Sequence, residues 1–88
     1  MTEEKWRELF GFNLSNYLKH NNMTQRDLTD LTYISESIIS DYVRGRRTPS
    51  AIKILRIAQA LKCTTDDLID FGEMSIPFPG RQLLLRQS

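Results

Sequence analysis

One cysteine, Cys63, and one histidine, His20, are all the thiol and imidazole this chain carries. A single thiol excludes an internal disulfide, and the pair cannot build a Cys- or His-rich zinc site. No apolar run approaches the ~20 residues of a membrane-spanning helix. The opening MTEEKWRELF is charged throughout, unlike the apolar stretch of a signal peptide, so a cytoplasmic location is expected. No glycine-rich phosphate loop and no nucleophile–base pair stands out. No catalytic residue, metal or cofactor is therefore assigned, and an enzyme is not expected. No stretch alternates with period two, which leaves no candidate strand. The 88 residues have room for one small domain with a modest core.

What is present is a blocked charge pattern. The net charge of +1 conceals it. Residues 23–43 carry Arg26 against Asp27, Asp30, Glu36 and Asp41. Residues 44–62 carry Arg44, Arg46, Arg47, Lys53, Arg56 and Lys62 and no acid. Residues 63–73 return to acid with Asp66, Asp67, Asp70 and Glu73. A basic segment between acidic ones is either a solvated face or a localised anion-binding edge.

Every periodic signal is helical. Trp6, Phe10, Leu14 and Leu18 recur at i+4 and form one apolar stripe. Gly11 lies within it and is expected to mark a break after a leading turn. Asn21-Asn22 suits a left-handed stop. Thr24, with Asp27 three residues on, reads as a capping box before Leu28 and Leu31. Tyr33-Ile34 is the predicted turn and Ser35 the next N-cap, opening a helix with Ile39 and Val43 inward and Gly45 at its end. Thr48 or Ser50 caps a fourth helix that buries Ile54, Leu55, Ile57, Ala58 and Leu61. Thr64 to Asp67 caps a short fifth helix with Leu68 and Ile69. The expected fold is an all-α, compact five-helix bundle.

Two short helices joined by a tight turn, the second with a polar start and a basic exit, form the helix-turn-helix pattern. The run MTQRDLTDLTYISESIISDYVRGRRTPSAIKILRIAQALKCTTDDLI resembles the phage lambda repressor and Cro-type (XRE-like) helix-turn-helix family. Its carriers are Thr24-Gln25, Leu28, Ile34-Ser35, Ile39-Ser40, Arg44-Gly45, Pro49-Ser50, Ile57-Ala58, Ala60-Leu61 and Asp67-Leu68, over roughly residues 10–70. Three positions depart from it. Tyr33 and Lys62 stand where glycine is usual, and Thr29 stands where alanine is usual on the second helix. The departures bear on the angle between helices rather than on the fold.

The resemblance implies a DNA-binding domain over residues 1–70, with residues 71–88 a C-terminal tail. It places the helix that opens at Ser35 in the major groove of double-stranded DNA. Helical spacing then puts Glu36, Ser37, Ser40 and Asp41 outward as base-reading candidates, with Arg44 on the same face. A carboxylate is repelled by phosphate and rewarded only by a base-edge donor such as cytosine N4. Glu36 equally suits the helix dipole, worth ~0.3–1 kcal/mol. Asp41 either reads a base or pairs with Arg44 one turn on. Ile38 either meets a thymine methyl or is simply part-exposed. Phosphate contacts are assigned to Gln25, Ser35, Arg44, Arg46, Arg47 and Lys53. Cys63 is read as packing and His20 as a surface residue.

Family members bind near-palindromic operators as dimers, so the resemblance implies a phage- or mobile-element-type repressor. Ile52 adds apolar surface to a fourth helix whose core face is already filled. A homodimer interface is expected on Ile52 and around Leu68. The tail, with Leu83-Leu84-Leu85, is either a flexible end or an arm that docks a copy or a protein partner. The competing reading is a protein-interaction module, an antitoxin or anti-repressor on the same scaffold.

Overall fold

The computed structural model describes residues 2–72. Among them are five helices and no strand: α1 (Glu3–His20), α2 (Gln25–Thr32), α3 (Glu36–Val43), α4 (Ala51–Ala60) and α5 (Thr65–Leu68). The tail beyond Gly72, with its expected docking arm, lies outside the described residues.

Each helix begins where a side-chain oxygen can take an orphan amide. Thr2, Thr24, Ser35, Ser50 and Thr64 accept from the amides of Lys5, Asp27, Ile38, Lys53 and Asp67. Of the two candidates before α4, Ser50 is the cap. The boxes at Thr24 and Thr64 are reciprocal, with Asp27 and Asp67 accepting from the cap amides at 2.9 and 3.0 Å.

Three helices end alike. After α1, α3 and α4 a residue in the left-handed region turns the chain: Asn22 at φ 55°, Gly45 at 73° and Lys62 at 57°. In each, the next amide reaches back five residues: Met23 to Leu18, Arg46 to Asp41 and Cys63 to Ala58. That is the Schellman closure, which satisfies otherwise orphaned carbonyls. α2 ends differently. Tyr33 adopts φ 60°, ψ 18°, and its amide donates to the Thr29 carbonyl at 2.9 Å. The Thr32 hydroxyl donates to the Leu28 carbonyl at 2.7 Å and accepts from the Ile34 amide at 3.3 Å. The turn therefore stays tight without glycine, and the left-handed backbone at Tyr33 costs ~1–2 kcal/mol.

The core gathers one stripe from every helix: Phe10, Leu14 and Leu18 of α1, Leu28 of α2, Ile39 and Tyr42 of α3, Ile57 and Ala58 of α4 and Leu68 of α5, with Ile34 and Leu61 from the connections. Trp6 stacks on Phe10 with ring centroids 5.3 Å apart, and Phe10 meets Tyr42 edge-on at 6.1 Å. Burial pushes the Tyr42 phenol above its ordinary value, with Arg47 pulling it the other way. Asn13 of α1 donates to the carbonyls of Leu68 and Asp70, both at 2.9 Å, and so ties down the end of α5.

Three expectations change. Gly11 breaks nothing, because α1 runs unbroken through it. The glycine is buried, and a Cβ there would lie 2.5 Å from the carbonyl oxygens of Tyr42 and Val43. It is the point where α3 presses its last turn against α1. Leu55 remains 47% exposed instead of joining the core. Leu68 has no exposed surface, so it holds the monomer together and is unable to form an interface between copies. Thr29 is half-buried, and its hydroxyl oxygen is enclosed without a hydrogen-bond partner.

Candidate nucleic-acid interface

The face is built around two helix starts and one loop. Gln25 occupies the first position of α2, half-buried, beside the amides of that helix N-terminus. Ser35 caps α3, its oxygen taking the Ile38 amide at 3.3 Å and its hydroxyl proton remaining available to a phosphate oxygen. Glu36 and Ser37 are exposed on the first turn, and Ser40 and Asp41 are half-buried on the second. Ile39 and Tyr42 anchor the opposite side of α3 in the core. Val43 and Ile38 pack partly against that core. The helix thus presents a short polar ridge held rigidly from behind.

The connection from α3 to α4 carries the positive charge. Arg44 and Arg46 are exposed on either side of Gly45, and neither has an acidic partner among the described residues. Arg47 differs. Its Nη2 lies 3.5 Å from Asp41 Oδ2. The expected partner of Asp41 was Arg44; the Schellman closure instead turns the chain so that Arg47 returns over α3. A pair this exposed is worth ~0–1 kcal/mol, so a phosphate can compete for Arg47. The same exchange would free Asp41 toward a base edge. Lys53, in the first turn of α4, is half-buried and also lacks an acidic partner among the described residues.

α1 straps this basic loop down. Arg7 Nε donates to the Gly45 carbonyl at 3.4 Å, and Arg7 Nη1 sits 3.7 Å from Glu3 Oε2. Glu3 Oε1 in turn accepts from the Thr48 hydroxyl at 3.1 Å. A Cβ on Gly45 would lie 3.2 Å from Glu8 Cα, which shows how closely the loop lies on α1. Sequence reasoning missed Glu3, Arg7 and Thr48. The i, i+4 spacing of Glu3 and Arg7 signals a helical ion pair, but nothing local points from it to a loop some forty residues away.

Of the remaining sequence candidates, Ile52 stands 60% exposed on α4, with Leu55, also exposed, three residues on. Cys63 is half-buried beside the core, and burial, with the carboxylate of Asp67 nearby, pushes its thiol above the ordinary value. That suppresses the thiolate and fits packing. Among the described residues no cluster of His, Cys, Asp and Glu could hold a metal ion, and no helix is long and apolar enough to cross a membrane.

A helix-turn-helix family model matches residues 14–68. The uncharacterized HTH-type transcriptional regulator y4dJ of Sinorhizobium fredii (strain NBRC 101917 / NGR234) is 30% identical over 63 residues, covering 72% of this chain and 82% of that protein. The restriction-modification controller protein C.AhdI of Aeromonas hydrophila is similar in structure with a TM-score of 0.69 and 27% identity, over 70% of this chain and 94% of that one. The clp gene regulator ClgR of C. glutamicum superposes with a TM-score of 0.72 over 82% of this chain and 96% of that one; at 24% identity the likeness is one of fold.

Proposed function

This chain belongs to the helix-turn-helix family of DNA-binding transcriptional regulators, and from that premise we propose that it is a sequence-specific repressor of phage or mobile-element type. It binds a near-palindromic operator in double-stranded DNA as a homodimer, in the cytoplasm, with residues 1–70 as the DNA-binding domain. One observation carries the reading: a polar ridge from Glu36 to Asp41, backed by core, ends in Arg44 and Arg46, two exposed cations without acidic partners among the described residues. α3 enters the major groove, where Glu36, Ser37, Ser40 and Asp41 meet base edges. Gln25, Ser35, Arg44, Arg46, Arg47 and Lys53 hold phosphates on either side and set the register.

Dimerisation follows from the economy of so small a face. Eight residues of recognition helix reach few bases, and a two-fold axis doubles the contacts. Ile52 and Leu55, adjacent along α4 and exposed, supply the apolar surface for that axis. Two copies so joined would read half-sites about one DNA turn, ~34 Å, apart. Selection of binding sites from random duplex DNA at fixed salt tests the reading. Enrichment of an inverted repeat supports it. Recovery of no preferred sequence, with operator-length DNA bound equally well whatever its sequence, overturns it and favours the protein-interaction module. For the axis, Ile52→Glu should shift the sedimenting species on DNA from dimer to monomer, and an unchanged mass would remove that surface from the interface.

A further inference from the structure

The C-terminal end of α2, the turn after it and the last turns of α4 bound an open groove of about 890 Å³, lined by Met23, Leu31, Tyr33, Arg56, Ala60 and Lys62. None of these residues is among the proposed DNA contacts. Gln25 and Lys53, the phosphate contacts proposed on α2 and α4, open those helices; the groove lies toward their far ends. The nearest of the proposed contacts in sequence are Gln25 and Ser35, two residues past Met23 and Tyr33 respectively.

Its lining contradicts what the fold alone would select. Three non-glycine residues occupy the left-handed region, and two of them, Tyr33 and Lys62, line this groove. Glycine would adopt either turn without strain. Tyr33 does not offset its strain by burial, because it is 91% exposed. Leu31 beside it is 55% exposed, so apolar surface continues along the groove. The fold uses both turns but does not require side chains there, and non-glycine residues kept at such a cost are a pointer to function. The charge is equally one-sided: Arg56 and Lys62 have no acidic partner among the described residues.

We propose that this groove docks an acidic, apolar segment of a partner protein, with apolar side chains against Leu31, Tyr33 and Ala60 and carboxylates on Arg56 and Lys62. A nucleic-acid phosphate would satisfy the two cations but leave the apolar wall in water, so a protein segment fits the surface better. An open groove also suits a length of chain better than a small molecule, which prefers an enclosed pocket. Tyr33, an exposed aromatic held by a fixed backbone, is the natural anchor.

The test is selection from a random peptide display library on the immobilised full chain, followed by affinity measurement of the enriched peptides. Tyr33→Gly relieves the left-handed strain and Arg56→Glu changes an exposed residue, so both variants keep the fold. The expected result is a consensus of Glu or Asp with Leu, Ile or Phe, weakened at least about tenfold by either variant. Both variants should retain wild-type affinity for duplex DNA and wild-type sedimentation mass. Peptides without acidic character, or peptides that bind both variants as well as wild type, overturn the proposal. Parallel loss of DNA affinity would make the groove part of the DNA surface, and an altered mass would assign it to a second copy; either result also overturns it.

Discussion

Replacing Gly11 by alanine sets two effects of opposite sign against each other. Inside a helix the change should stabilise by ~1 kcal/mol, since alanine restricts the unfolded chain and favours helix. Against that stands the contact with α3. The added methyl would lie 2.5 Å from the carbonyl oxygens of Tyr42 and Val43, nearly an ångström inside normal contact. Those atoms are backbone and have no rotamer to escape into, so the helices must separate. Overpacking of this kind costs ~1–3 kcal/mol, and a backbone obstacle places it near the upper end. The net expectation is a loss of about 2 kcal/mol, a large fraction of the margin of so small a domain. At ~4–8 °C per kcal/mol, the melting temperature should fall by roughly 8–16 °C. Circular dichroism melts and urea titrations at matched protein concentration measure both quantities. Because the displaced atoms belong to α3, the proposed recognition helix, affinity for duplex DNA should also fall at temperatures below the melting range. A variant that melts at or above the wild-type temperature would refute the close approach of α1 and α3.

Four further outcomes are expected. Arg44→Ala and Arg46→Ala should each flatten the dependence of log K on log salt by about 0.9 per protomer, for operator and random DNA alike; an unchanged slope removes them from the DNA surface. Glu36→Gln should relax preference at one base position by ~1–3 kcal/mol in a binding-site selection, whereas an identical consensus would confine Glu36 to the helix dipole. Thr29→Ala removes an enclosed hydroxyl without a partner and should stabilise the domain by about 1 kcal/mol in urea titration; a loss of stability would mean the hydroxyl is satisfied. Cys63 should react with iodoacetamide at neutral pH several-fold more slowly in the folded chain than in urea, because burial raises the thiol's pKa and depletes the thiolate; equal rates would contradict its burial.

By itself the sequence determined most of the caps and most of each inward stripe, although not the continuity of α1 through Gly11 or the exposure of Leu55 on α4. Thr24 finds its amide three residues away, and Met23 reaches back five residues to Leu18, so both signals sit within one short window. The same locality put Glu36, Ser37, Ser40 and Asp41 on one outward ridge, because helical period alone decides which positions share a face. Only the tertiary structure decided what those positions meet. Gly11 reads as a break until α3 is seen against it. Asp41 sits one turn before Arg44, yet the loop geometry delivers Arg47 to it instead. Leu68 and Ile52 look alike in the sequence, but one is sealed in the core and the other stands in solvent. Glu3 and Arg7 reach a loop some forty residues on, and Leu31 meets Arg56 and Lys62 across a groove that no window contains. The physical reason is range: caps and stripes are set by bonds spanning a turn or so of backbone, whereas partners across helices depend on distances and angles that the packing of the whole core fixes together.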